Sequence, residues 1–317
     1  MTRVLGWLRS PWLRGGFVVA ALVAAVIAVV SSWDDVSEAL GRTEPRLLAV
    51  SVIVAPVYLG ATMLAWRGVL SNLGSRLSHR DAFVVFFVSQ LGKYLPGSVW
   101  NVVAAAEMGA DRQVPRRRSL AAMGVAMLFG LASGTALGLL GLALAPAEAR
   151  DRFWVALIAI PVLAALVVPA VTNRIAAVTL KVLRRPPLEH GLTTRGAAVA
   201  LGWSVLGWLV AGLHVWLLAL ATGLEPTLST YLLCVGGYAL AWAVGFLALP
   251  LPAGVGAREV VLLAVLSRTL DPGSVLIVVL LSRVVLTVAD VALAGGAAAL
   301  NLRARRAAAS STPDIAG

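Results

Sequence analysis

Residues 82–106 read AFVVFFVSQLGKYLPGSVWNVVAAA, and the threading of the whole chain turns on how this stretch is interpreted. Its 25 residues are apolar and long enough for one membrane-crossing helix, which needs about 20. The run is cut in its middle by Gly92-Lys93-Tyr94-Leu95-Pro96-Gly97. Proline lacks an N–H and clashes with the preceding turn, and glycine permits a tight reversal. Charge on either side sharpens the conflict: Arg67, Arg76 and Arg80 precede the run, and Arg112, Arg116, Arg117 and Arg118 come after it. Basic loops stay on the cytoplasmic side, so a single crossing would strand the second cluster outside. Two half-length helices joined at the break return the chain to its starting face. Irregular backbone is tolerated at membrane depth when it is buried in protein or lines a cavity, and the expectation is a re-entrant hairpin over about 82–106.

Working outward, the same logic accounts for the remaining runs. Residues 15–33, 47–66, 119–147, 153–173, 196–224 and about 273–301 each reach spanning length. Backbone polar groups in lipid must be bonded within the segment, and runs this rich in Ala, Leu and Val achieve that as helices. Loop charge orients them. The N-terminus carries Arg3, Arg9 and Arg14, the first loop carries Asp34, Asp35, Glu38 and Glu44 against Arg42 and Arg46, and Arg174, Lys181, Arg184, Arg185 and Arg195 mark a later cytoplasmic loop. The first run leads into Ser31-Ser32-Trp33-Asp34 without a small-x-small cleavage site, which favours an uncleaved first span over a signal peptide.

A second break, Leu249-Pro250-Leu251-Pro252-Ala253-Gly254, is followed by a short apolar segment to Leu266 that carries Arg258 and Glu259. Read with loop charge, residues 229–267 enter from and return to the outside. The expected fold is therefore an all-α polytopic membrane protein with six full spans and two opposed re-entrant hairpins, both termini cytoplasmic. It forms one transmembrane domain over 1–302, followed by a disordered cytoplasmic tail at 303–317. The pentads Leu95-Pro96-Gly97-Ser98-Val99 and Leu251-Pro252-Ala253-Gly254-Val255 share Leu-Pro-small-small-Val. Opposed broken elements in two halves are the pattern of an inverted-repeat transporter with its site near the midplane.

Composition agrees with that class. Of 317 residues, 60% are hydrophobic and 13% charged, far too few polar groups to cover a water-soluble core. The net charge of +11 is distributed as short basic loops, so it argues for a membrane orientation and not for nucleic acid. Cys234 is the one cysteine and the histidines number three; no metal-ligand spacing exists and no cofactor is expected. His214 reads as a packing residue, and Gly134-x-x-x-Gly138 as a close-packing motif within the bundle.

Candidate site residues cluster at the breaks. An ionisable side chain near the bilayer centre costs about 2.5–3.5 kcal/mol on insertion scales, so it faces a cavity or a partner. Lys93 and Tyr94 flank the first break, where Gly97 and Ser98 open the second half-helix and Trp100 comes next; Gly254, Arg258 and Glu259 flank the second break. Helix N-termini at Gly97-Ser98 and Gly254-Val255 suit an anion such as phosphate. In the last span, Arg283 and Asp290 are seven residues apart, about 10 Å along the helix, too far to pair directly, with Glu259 a candidate partner for Arg283. The competing reading makes these charges structural pairs between helices, with Lys93 snorkelling.

Gly92–Trp100 and Leu249–Glu259 resemble the two signature stretches of the lysylphosphatidylglycerol synthase transmembrane family, and Arg283 looks like the arginine of that family's last helix. The resemblance implies a helical bundle that moves a lipid or lipid-linked headgroup between leaflets of the cytoplasmic membrane. The full multiple peptide resistance factor adds a soluble transferase domain that this sequence does not contain, so no synthase activity is expected. The implied partners are an anionic lipid headgroup and membrane lipids, with a cell-envelope glycosyltransferase or a second copy as further candidates. Alternatives are a secondary transporter of a small anion and a non-transporting assembly partner of such a glycosyltransferase. No paired-carboxylate or nucleophile–base spacing suggests an enzyme. Single cysteines at Gly74 and Asp111 are expected to label with a membrane-impermeant reagent only from the cytoplasmic side. Labelling of the second from outside would rule out the first hairpin.

Overall fold

The computed structural model describes residues 43–95, 99–144, 159–248, 254 and 256–310. The expected first span at 15–33 lies outside them, as do Gly97, Ser98 and most of both pentads. The described residues form helices α1 (Pro45–Asn72), α2 (His79–Gln90), α3 (Trp100–Ala110), α4 (Arg116–Ala143), α5 (Ala159–Leu166), α6 (Pro169–Val182), α7 (Thr194–Leu220), α8 (Leu228–Leu247), α9 (Ala257–Leu266) and α10 (Pro272–Ser310), with a 3-10 turn at Leu91–Tyr94. Five of these, α1, α4, α7, α8 and α10, are long and apolar enough to cross a membrane, and the bent pair α5–α6 brings the number to six.

Close helix contact replaces hydrophobic burial as the organiser of such a bundle, because lipid is as apolar as Leu. A close seam joins α4 and α8: a Cβ at Gly141 would lie 2.5 Å from the Leu232 carbonyl, and one at Gly236 would lie 2.8 Å from the Gly138 carbonyl. The Gly134-x-x-x-Gly138 motif thus packs inside the bundle, Gly134 against Trp208 and Gly138 against Leu240. Polar ties add register. His214 of α7 meets Ser51 of α1 at 2.8 Å and Ser282 of α10 at 3.3 Å, and Trp208 donates to Ser133 of α4 at 3.1 Å.

Two ends of the bundle are distinguishable. At the basic end, Asn72 is bonded to Thr193 at 3.0 Å, Arg118 donates to the Gly74 carbonyl at 2.8 Å, and Arg80 reaches the Leu300 carbonyl at 3.1 Å. Arg117 and Arg118 both hold Glu189, and the Arg118 hydrogen bond in particular keeps the Glu189 carboxyl below its ordinary value. At the opposite end, the Ser274 hydroxyl faces the Thr222 carbonyl at 3.4 Å.

The first break closes a hairpin. Arg112, just past α3, pairs with Asp81 at the start of α2 at 3.0 Å, while at the turn a Cβ on Gly92 would strike the Asn101 nitrogen at 2.5 Å. Contacts at both ends of the legs make α2 and α3 antiparallel. At 12 and 11 residues each measures about 16–18 Å, half a hydrocarbon core. The second hairpin differs from its expected symmetry. Leg α8 has 20 residues and α9 has 10, and α9 folds back along the latter half of α8, with Gly237 under Val265 and Gly245 under Arg258.

Two further expectations are corrected. The expected span 153–173 does not continue as one helix through its described part: α5 ends at Leu166 and α6 leaves at 69°. Pro169 at the start of α6 supplies no N–H and pushes Val168 out of the helical region, and the Thr172 hydroxyl donates to the Leu166 carbonyl at 2.9 Å. The tail expected to be disordered from 303 remains helical to Ser310, where Ala and Arg, both strong helix formers, extend α10.

Gly236→Ala is expected to destabilise the bundle by about 1–3 kcal/mol through overpacking against backbone, whereas Gly60→Ala, with nothing within 4 Å, should be neutral or slightly stabilising. Thermal unfolding in detergent distinguishes the two; equal midpoints would show that the α4–α8 seam is not tight.

Candidate functional site: a charged cavity between two helix breaks

Helix α10 provides a ruler through the bundle. Leu300 is held at the basic end and Ser274 at the opposite one, and Thr287 lies thirteen residues from each. Asp290 and Arg283 straddle this midpoint. Ten residues separate Asp290 from Leu300, a depth of about 15 Å, which is half the roughly 30 Å of a hydrocarbon core.

The turn of the first hairpin meets α10 at that depth. Lys93 Nζ lies 2.6 Å from Asp290 Oδ2, and the Tyr94 hydroxyl donates to the same oxygen at 2.8 Å. The second hairpin arrives one step nearer the opposite end, where Glu259 Oε1 lies 3.6 Å from Arg283. Glu259 Oε2 accepts from the Gly256 N–H at 2.7 Å, so the first turn of α9 is capped by its own carboxylate. The carboxylate thus takes one of the donors at the start of α9, next to the Gly254-Val255 position expected to suit an anion.

Arg258 is held differently. Its guanidinium lies over the Tyr238 ring, 4.5 Å from the centroid, and among the described residues no carboxylate lies within ion-pair distance of it. Arg is suited to this because its planar, weakly hydrated cation stacks on an aromatic face. Among the described residues, three cations, Lys93, Arg258 and Arg283, therefore face two carboxylates, Asp290 and Glu259, a formal excess of one positive charge.

These groups surround a cavity of about 210 Å³. Of the expected residues, Lys93, Tyr94, Gly254, Arg258, Arg283 and Asp290 line it. Glu259 stands behind Arg283, and Trp100 is 36% exposed outside the lining, its backbone packed over Gly92. Gly97 and Ser98 lie outside the described residues. Gly254 adopts φ +70°, and a Cβ there would lie 2.7 Å from the Gly245 Cα, so glycine lets the second break press against α8.

The aromatic half of the wall escaped sequence reasoning. Tyr58, Trp66, Trp208 and Trp242 line the cavity, and Tyr238 supports Arg258. The available signal was the placement of Tyr58 and Tyr238 deep within apolar runs, away from the span ends where aromatic belts sit. Trp66 Nε1, Asn101 Oδ1 and Asp290 Oδ1 are buried without a hydrogen-bond partner among the described residues, and all three residues line this one space. Buried polar atoms are normally satisfied, so a polar occupant suits the cavity.

Apolar helices of spanning length packed around a buried, charged cavity define a multi-pass membrane protein. The sequence model of the lysylphosphatidylglycerol synthase TM region matches residues 16–294, and the chain belongs to that family. No curated protein matches it.

Removing Asp290 alone leaves a cation without its partner, whereas removing both partners does not. Asp290→Ala is expected to cost about 3 kcal/mol, the low end for a buried pair because Lys93 keeps 29% exposure, and Lys93→Met/Asp290→Ala to cost less than Asp290→Ala alone. Chemical unfolding of the variants in detergent tests this, and strictly additive losses would show that the two side chains are uncoupled.

Proposed function

We propose that this protein moves an anionic lipid headgroup between the leaflets of the cytoplasmic membrane, with its basic end in the cytoplasm and the two helix breaks acting as opposed re-entrant hairpins. The observation that carries this reading is the net positive, partly aromatic cavity at mid-depth, where the two breaks approach α10. Membership of a family associated with lipid synthesis supports a lipid over other anions.

The division of labour rests on the charges. Arg258, lacking a carboxylate partner among the described residues, is the group that neutralises an entering phosphate, and its fork of donors suits two phosphate oxygens at once. Lys93 and Arg283 contribute after sharing their charge between ligand and counter-ion. The charged and aromatic lining of the cavity suits a polar headgroup, and in this reading the acyl tails remain in the bilayer while the polar part crosses. No covalent step is assigned to the cavity, and its energy source is a gradient of the lipid or of a coupled ion.

A small soluble anion is the second reading, favoured by the same cationic lining. The two readings separate in proteoliposomes. The wild-type protein is expected to accelerate transbilayer movement of a labelled anionic phospholipid, and Arg258→Gln to slow it by about tenfold or more, the loss of one charge-assisted hydrogen bond. Uptake of labelled phosphate without any lipid movement would favour the small-anion carrier. Activity equal to empty liposomes with every headgroup and anion would remove both.

A further inference from the structure

We propose that α6 makes no membrane crossing and lies along the leaflet at the basic end of the bundle, its apolar stripe in the acyl-chain boundary and its arginine and lysine side chains on the headgroups of anionic lipid. None of its side chains lines the cavity, so this lipid contact is independent of what the cavity carries.

The route of the chain fixes where α6 begins. Helix α4 leaves the basic end, where Arg118 holds the Gly74 carbonyl, and near its close Gly141 meets Leu232 at the start of α8. That start follows the loop containing Thr222, at the opposite end. Helix α7 sets out again from the basic end, where Asn72 holds Thr193. Between α4 and α7 the chain therefore returns once across the bundle. The return is complete in the first turns of α6: the Asn173 side chain donates to the Leu192 carbonyl at 3.0 Å and accepts from the Leu192 N–H at 2.7 Å, and Leu192 directly precedes Thr193, the N-cap of α7. Nine residues of α6 remain after Asn173, about 14 Å of helix, with no crossing left to make. Helix α5 packs on α4, and the bend at Pro169 turns α6 away from it by 69°.

The outward surface of α6 has two parts. Ile175, Val178 and Val182, three and four residues apart, share one face, and Val178 is 54% and Val182 76% exposed. Arg174 and Lys181, seven residues apart and both exposed, run along the edge of that face, and exposed Arg184 and Arg185 follow at its end. Residues 169–188 hold these four cations and no acid. Thr172 and Leu180, on the other side, are buried against the protein.

Neither water nor hydrocarbon suits this surface alone. Water gains nothing from an exposed valine stripe, and cations at the bilayer centre are costly. At the boundary both are satisfied: the stripe sinks among the upper acyl chains while the basic side chains stay with the phosphates. The helix macrodipole accounts for a lysine in the last turn, but gives no reason for the apolar stripe beside it. Charge selects the lipid. A zwitterionic headgroup neutralises its own phosphate, whereas an anionic one leaves a net charge for the four cations, each of which adds to the attraction.

Fluorescence quenching of the full-length protein in lipid nanodiscs tests the placement. Cys234 is buried, and in a Cys234→Ala background an environment-sensitive dye attaches only to Val178→Cys. A nitroxide high on a phospholipid acyl chain is expected to quench this dye at least about threefold more than a nitroxide at the chain end or acrylamide in the water. Strongest quenching by the deep nitroxide would make α6 part of a crossing, and strongest quenching by acrylamide would put it in water; either overturns the proposal. Protection from all three quenchers, with unlabelled Val178→Cys chains joining by a disulfide on oxidation, would place a second copy on this face and overturns it as well. For headgroup choice, the shallow nitroxide on phosphatidylglycerol should quench about threefold more than on phosphatidylcholine at low salt. That preference should vanish in Arg174→Gln/Lys181→Gln/Arg184→Gln/Arg185→Gln. Equal quenching by the two lipids before these four substitutions, or a preference that survives them, overturns the anionic-lipid contact.

Discussion

Charge that cannot reach water must be matched by structure, and this constraint explains why the bundle is broken where it is. Lys93, Arg258, Arg283, Asp290 and Glu259 all sit where a continuous helix of aliphatic side chains would offer them nothing. Each break brings a second chain segment to the same depth: the turn after α2 carries Lys93 to Asp290, and the start of α9 carries Glu259 to Arg283. Arg258 is accommodated by a different means, an aromatic face in place of a carboxylate. That substitution leaves the cluster one positive charge in excess, and an excess charge in a low-dielectric wall acts more strongly than the same charge in water.

Packing and chemistry are linked through the small residues. The α4–α8 seam is close because Gly138, Gly141 and Gly236 expose backbone to backbone, and this closeness sets Trp242 of α8 over Gly130 of α4. Trp242 and Trp208, with ring centroids 5.1 Å apart, then form one continuous aromatic wall. A looser seam would move the aromatic side of the cavity relative to its charged side on α10.

Much of this was legible in the sequence, and the limits of legibility have physical causes. Long apolar runs dictate helices because lipid leaves the backbone no alternative, and the conflict between loop charge and a single crossing at 82–106 marks the first hairpin. The distance between Arg283 and Asp290 along one helix implies that each needs a partner from elsewhere. Pairwise geometry at a distance is harder to read. Nothing in the order of residues places Tyr238 under Arg258, because aromatic side chains in apolar runs serve as packing, anchor or platform alike. Nor does residue order show that Glu259 turns back onto the Gly256 N–H, a contact open to any acidic side chain three positions into a helix. The unequal legs of the second hairpin were obscured because the run before Leu249 is spanning length and the break lies at its far end.

The first hairpin also has a place in time. Its closing contact joins Asp81 and Arg112, 31 residues apart, so it can form as soon as its own segment has been synthesised. Its tie to α10 spans far more chain, 196 residues between Tyr94 and Asp290. Lys93 therefore waits through most of synthesis for its counter-ion, while the helices between them are inserted. During that interval Lys93 lacks the carboxylate that it meets in the folded protein. Arrival of α10 supplies Asp290, so the ionic contact beside the cavity forms only after the helices between it and the first hairpin have been made.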